Sequence, residues 1–388
     1  MDIELLYAKI KDEIISVRRQ IHMHPEPGFE ECRTADVICE FLKKHSIGYT
    51  DKIAKTGICA TVGKKSGKVL LIRADMDALP ISENTPLEYA SREPGMMHAC
   101  GHDIHISVAL AAAYILKQCE DEIDGCVKIV FQPAEETTGG AKPMIDEGIL
   151  ENPKVDTAIG GHVTPALSVG KVWLKSGPLM ASPDDFSVKF IGKSTHGAEP
   201  QNGISPILPA AEFALGVKSN VLNSVSDDSH CVLSICTISA GISTNIIPDT
   251  ATITGTFRSF SEKSRKTAAK CIEEYADSIA QKHGAKAEVK YNFLYPPVIN
   301  DDDITKKMEK SIKKSIGSES VVPLEKPLMT GEDFSYFANA VPSVFVWYGC
   351  SDGINAAPLH SDKFIADERS IEAAVKIFCG FAKDYFGI

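Results

Sequence analysis

The sequence predicts an α/β fold: a larger, mostly parallel-sheet domain built from residues 1–179 and 295–388, interrupted by a small α+β domain over residues 180–294. Three observations carry this expectation. Short apolar runs rich in Val, Ile and Leu alternate with helical segments as far as Leu179, the pattern of a parallel sheet covered on both faces. After Ser176-Gly177-Pro178 the order becomes strand, helix, two strands, helix, strand, which is the split βαβ plan of a ferredoxin-like unit. From about Tyr295 the first alternation resumes, so the middle unit reads as an insertion. A chain of 388 residues has room for both domains, because single hydrophobic cores stop growing near roughly 250–300 residues.

In chain order, Met1–Gln20 carries Ile3, Leu5, Leu6, Ile10, Ile14 and Ile15 among charged residues at helical spacing. Lys68–Arg73, Cys126–Phe131 and Thr157–Gly161 read as strands of the first block, with a covering helix over Ile106–Gln118. In the middle block Phe186–Ile191, Cys231–Ala240, Thr250–Phe257 and Ala287–Asn292 read as strands, with helices over Ile204–Asn220 and Ser261–His283. Ser343–Tyr348 is strand-like and Ile371–Tyr385 helical in the third.

Composition narrows the function. Hydrophobic residues make up 44% and charged residues 24%, an ordinary globular balance. The formal charge of −11 argues against nucleic acid or an anionic membrane as partner, since both call for a basic face. Val108–Leu116, the longest apolar stretch, is too short for a bilayer span of about 20 residues. Met1–Gln20 has no uninterrupted apolar core, so neither signal peptide nor membrane segment is expected. The 11 cysteines contain no CxxC pair and no dense framework, which fits a reducing cytoplasm.

Four constellations carry chemistry. Met97-His98-Ala99-Cys100-Gly101-His102-Asp103-Ile104-His105 packs three imidazoles and a thiol together, and Cys-Gly-His lets two donors face one ion with no bulk between them. Singly, each is equally a buried small residue or a helix cap. Gln132-Pro133-Ala134-Glu135-Glu136 follows an apolar strand; paired carboxylates there repel unless a cation compensates, so one would bind metal and the other handle a proton. A solvated acidic loop is the plain alternative. Asp75-Met76-Asp77 also ends a strand, with both aspartates on one side, either as ligands or as partners that orient a ligand imidazole. Two more histidines, His162 and His360, end strand-like or loop segments. In the middle block His196, Asn245 and Arg258 offer an imidazole, an amide and a guanidinium, suited to an oxyanion and a carboxylate but also ordinary on a surface.

At these points the sequence resembles the metal-dependent aminoacylase and amidohydrolase family that includes hippurate hydrolase, auxin-conjugate hydrolases and N-acetyldiaminopimelate deacetylase, within the wider group of di-metal exopeptidases. The matching pieces run along nearly the whole chain, from Arg18-Arg19, His22 and His24-Pro25-Glu26 through Arg73-Ala74-Asp75-Met76-Asp77 and His98-Ala99-Cys100-Gly101-His102-Asp103 to Gln132-Pro133-Ala134-Glu135-Glu136, Asn245-Ile246-Ile247-Pro248, Gly331-Glu332-Asp333-Phe334 and Leu359-His360-Ser361. The resemblance implies a di-metal exopeptidase catalytic domain with an inserted lid, hydrolysing the amide bond of a small N-acyl amino acid with two divalent ions: Mn, Zn, Ni or Co. It places Cys100, His102, Glu136, His162 and His360 on ligand positions, Glu135 on the catalytic glutamate and Asp77 on the aspartate behind a ligand histidine. His196, Asn245 and Arg258 fall on lid positions that meet the reacting carbonyl and the substrate carboxylate, and the lid carries a homodimer contact. Cys100 stands where the wider group has a bridging aspartate, and Asp75 where it has a histidine, which leaves the metal open. A dipeptidase or aminobenzoyl-type carboxypeptidase is the neighbouring reading, and a cysteine hydrolase using Cys100 another. A decayed binding protein is opposed by the intact Glu135.

Overall fold

The computed structural model describes residues 1–225, 230–354 and 357–388. The chain divides into two compact units, one of Met1–Leu179, Ile299–Lys326 and Asp333–Ile388, the other of Met180–Val298 and Pro327–Glu332. Residues 327–332 thus join the second unit from a stretch that the linear reading gave to the first.

The larger unit opens with α1 (Ile3–Met23) and α2 (Cys32–Lys44). Asp2 caps α1 by accepting the Leu5 N–H at 3.0 Å, and Tyr7, Ile10, Ile14, Arg18 and Ile21 form its buried stripe at helical spacing. A hairpin of β1 (Gly48–Ile53) and β2 (Gly57–Gly63) leads to β3 (Lys68–Asp75), α3 (His102–Gln118), β4 (Gly125–Gln132), the short α4 (Ala141–Asp146), β5 (Thr157–Ser168) and β6 (Val172–Leu174). β7 (Gly177–Met180) pairs with β14 (Val298–Asn300) where the chain leaves this unit and returns. After the return come α7 (Asp302–Ile316), β15 (Val321–Pro323), α8 (Ser335–Ala340), β16 (Ser343–Ser351) and α9 (Arg369–Phe386). The eight-stranded sheet has the order β1-β2-β4-β3-β5-β16-β6-β15. Its central strands β4, β3, β5 and β16 run parallel. β4 and β16 are buried along their whole length, as a doubly covered sheet demands. The alanine-rich α3 is buried almost throughout and packs against α1 and α9.

The second unit contains β8 (Ser182–Ile191), β9 (Thr195–His196), α5 (Ile207–Ser224), β10 (Val232–Ala240), β11 (Ile246–Ile247), β12 (Thr250–Ser259), α6 (Glu262–Lys282) and β13 (Lys286–Asn292). Its antiparallel sheet has the order β10-β12-β8-β13, the ferredoxin-like arrangement. β8 and β12 alternate buried and open positions, and Phe186, Val188, Phe190, Ile253 and Phe257 pack with Phe213, Val217 and Ile272 of the two helices. Each such burial contributes about 1.5–3 kcal/mol.

Candidate metal centre

Strand order reverses at β3, since β4 flanks it on one side and β5 on the other. In open α/β sheets, ligands bind outside the carboxyl ends of strands at such a switch point. β3 stays paired with β4 as far as Asp75, opposite Gln132, whereas its pairing with β5 covers only Leu70–Ile72. The segment from Met97 to His105 reaches this region, and α3 begins within it. Gly101 caps α3 at φ +83, a conformation that favours glycine, and a Cβ there would lie 2.5 Å from Val163 Cγ2.

Five donors from four separate segments lie together. Cys100 Sγ is 3.1 Å from His162 Nε2 and 3.2 Å from His360 Nε2. His360 Nε2 is 3.1 Å from Glu136 Oε1, and His102 Nε2 is 3.9 Å from the same oxygen. The hydrogen bonds behind the imidazoles fix which nitrogen faces inward. His102 Nδ1 donates to the Asp77 carbonyl at 2.9 Å and His162 Nδ1 to the Val163 carbonyl at 2.7 Å, so both Nε2 atoms turn toward the cluster. His102 Nε2 is buried without a hydrogen-bond partner. Donors bound to one ion at about 2.0–2.3 Å stand roughly 3–4 Å apart, so the spacing and this orphaned nitrogen both fit a cation. His360 takes φ +63, and its N–H is held by Ala99 O at 2.9 Å beside Cys100.

The field of the cluster calls for positive charge. Burial opposes protonation of His102, yet the carboxylates of Asp75, Asp77 and Glu136 outweigh it and raise the imidazole to about 10. Glu136 is held at about 2 against burial by His360 and His102. Burial and then the Glu136 charge push the Cys100 thiol well up, the reverse of what an activated nucleophile needs. Its 6% exposure also speaks against a cysteine hydrolase.

Asp77 organises the glutamate pair. Its two carboxylate oxygens accept the backbone N–H groups of Glu135 at 3.0 Å and Glu136 at 2.9 Å, and Oδ1 lies 3.3 Å from His102 Nδ1. One aspartate therefore backs a candidate ligand and shapes the loop that carries the candidate base. Ala134 turns that loop at φ +57, with its N–H held by Glu31 Oε1 at 2.9 Å. The sequence reading missed Glu31, and it gave no role to Arg73, Gln132 and Asp333. Arg73 donates to Gln132 at 2.8 Å, Asp75 at 2.6 Å and Asp333 at 2.8 Å, all buried, tying the ends of β3 and β4 to the segment before α8. The available signal was an arginine inside an apolar strand, which requires buried partners.

A sequence model of peptidase family M20/M25/M40 matches residues 71–384. The chain belongs to this peptidase family. It is 37% identical to the N-acetylcysteine deacetylase of Bacillus subtilis over 95% of this chain and 96% of that one. It is 34% identical to the hippurate hydrolase of Campylobacter jejuni over 97% of each chain. The crystal structure of the Bacillus subtilis YXEP protein, described as a dinuclear metal binding peptidase, superposes with TM-score 0.84 at 33% identity, covering 98% of this chain and 99% of that one.

The three remaining residues marked in the sequence lie in the second unit of this family member. Ala198 N–H donates to His196 Nδ1 at 3.1 Å, which leaves the proton on Nε2 as a free donor. Asn245 O accepts the Gly197 N–H at 2.7 Å, so these two residues share one corner of the unit, where β9 pairs with β11. Arg258 stands apart. On β12 it pairs opposite Pro183 at the start of β8, whereas Thr250, nearest Asn245, pairs opposite Ile191 at the end of β8. Those eight residues of strand span about 26 Å. Arg258 has one guanidinium nitrogen buried and unpartnered.

Proposed function

We propose that the chain is a metal-dependent amidohydrolase that releases the acyl group of a small N-acyl amino acid. The observation that carries this is the convergence of Cys100, His102, Glu136, His162 and His360 beside a glutamate, Glu135, that Asp77 holds by its backbone. These five residues would hold two divalent ions, Mn, Zn, Ni or Co, which supply Lewis acidity toward the amide carbonyl and lower the pKa of a water toward roughly 7. Glu135 takes the proton of the attacking water and returns it to the departing nitrogen, the double role open to a positioned carboxylate. Asp77 keeps Glu135 on its loop and keeps the His102 proton on Nδ1. His196, with its proton on Nε2, donates to the oxyanion of the tetrahedral intermediate. Arg258 and Asn245 receive the substrate carboxylate.

The second unit, about residues 180–294, serves as a lid and as the contact of a homodimer. One carboxylate cannot bridge the length of β12, so Asn245 and Arg258 can serve the same substrate only when they come from different copies. The unit offers a contact of the required kind. β10 is an edge strand with Ile238 exposed, and α5 beside it exposes Leu208 and Leu215. Eleven free cysteines fit a reducing compartment, and we assign the enzyme to the cytoplasm.

The test is a panel of N-acetyl, N-benzoyl and indole-acetyl amino acids, assayed on metal-stripped protein reloaded with Mn, Zn, Ni or Co. Release of the free amino acid only after reloading supports the reading. Turnover that survives stripping but is abolished by thiol alkylation would return the cysteine hydrolase.

A further inference from the structure

We infer that His105 is a positioning residue that clips the end of β3 to β5 and so sets where His162 stands. The inference rests on the reading of His162 as a metal ligand. Backbone pairing between β3 and β5 stops at Ile72 and Ile159, three residues short of both Asp75 and His162. His105, in the first turn of α3, takes over where the ladder ends. Its Nε2 accepts the Val163 N–H at 3.0 Å, and its Nδ1 meets Asp75 Oδ1 at 2.5 Å. A backbone amide can only donate, so Nε2 carries no proton and Nδ1 supplies the one shared with Asp75.

Both nitrogens of His105 are thereby engaged, and it is not a free donor even though its atoms lie within 4.8 Å of those of His102 and Asp75. Asp75 is itself anchored through its other oxygen by Arg73 at 2.6 Å. Val163 transmits the constraint: its N–H is held by His105 while its carbonyl accepts the His162 Nδ1 proton at 2.7 Å. The His162 ring is confined on both sides, by the edge of His105 at 4.6 Å and by the indole of Trp347 at 4.6 Å and 31°. The path runs from Arg73 through Asp75, His105 and Val163 to His162, and its terminus is the nitrogen that faces Cys100. Groups that orient ligand histidines in this way typically change metal affinity 10–100-fold when lost.

The test uses the full chain and Zn²⁺ or Co²⁺ alone. With ¹⁵N-labelled histidine, His105 should remain neutral with its proton on Nδ1 before and after Zn²⁺ is added, while the resonances of His102, His162 and His360 move. Chelator competition should show His105→Leu binding one of two Co²⁺ ions about 10–100-fold more weakly than the parent. His105→Gln, which keeps a donor and an acceptor, should recover part of that loss. A Zn²⁺-induced shift to metal-bound His105 nitrogens would overturn the inference, as would parent affinity in a folded His105→Leu. Should the Leu variant fail to fold, the parent's resonances still decide. If His162→Ala holds both ions as the parent does, the ligand reading falls and takes this inference with it, a result separable from failure of the clip alone.

Discussion

Glu135 and Glu136 are neighbours in sequence with different work, and the pair of substitutions to Gln separates them. Glu135→Gln keeps size and most hydrogen bonding but removes the base, so turnover should fall by a factor on the order of 10²–10⁴ with metal content unchanged. Glu136→Gln should lose metal together with activity. Metal analysis of the two purified variants checks the contrast, and the opposite pattern would exchange the roles. At this scale the sequence was informative where soft donors and paired acids cluster locally: Cys100, His102 and the Glu135-Glu136 pair stood out from spacing. His162 and His360 did not, since each is alone in its segment and only the resemblance placed them on ligand positions. Glu31 went unmarked, and Asp333 was given no role, for a physical reason. Each is a buried carboxylate whose partners, Ala134 and Thr56 for one and Arg73, Gln132 and Ala141 for the other, are remote in sequence.

Two elements beside the cluster, β3 and α3, ran longer than apolar patterning implied, and the added residues include polar ones satisfied by tertiary contacts. β3 continues past Arg73 to Asp75 because that ion pair lets both residues be buried. α3 begins at His102 rather than Ile106 because Gly101 makes the left-handed turn and Asp103 finds partners on α1. Asp103 Oδ2 lies 2.8 Å from both Arg18 Nε and His22 Nδ1. Burial disfavours charge on Asp103, but Arg18 and His22 outweigh it and hold the carboxyl far below its usual range. A carboxyl depressed in the folded state adds stability above its unfolded value of about 3.9 and loses it as pH falls toward the folded value. Asp103→Asn should therefore cost about 3–5 kcal/mol at neutral pH, because buried Arg18 loses its nearer carboxylate and keeps only Glu368, 3.4 Å away. The loss should shrink below about pH 4, where the parent also weakens. Denaturant unfolding across pH checks this; an equal penalty at pH 3 and pH 7 would remove the ion pair as the cause.

For the whole molecule, the order of strands and helices was legible as two kinds of pattern, but the return of residues 327–332 to the second unit was not, since nothing in their composition differs from a loop. The separation of Asn245 from Arg258 was equally hidden, because register between β8 and β12 decides it. Light scattering at micromolar concentration should give twice the mass of the 42.0 kDa chain, and charged substitutions at Leu208 and Leu215 should reduce it to one with loss of activity. A fully active monomer would contradict the shared site. The central claim, that five side chains from four separate segments hold a metal pair, is tested most directly by anomalous diffraction from crystals loaded with Co²⁺ or Mn²⁺. Two peaks about 3.5–4 Å apart, with Cys100, His102, Glu136, His162 and His360 at roughly 2.0–2.3 Å, are the expected result; peaks that leave Cys100 and His162 unligated, or none at this cluster, would contradict it.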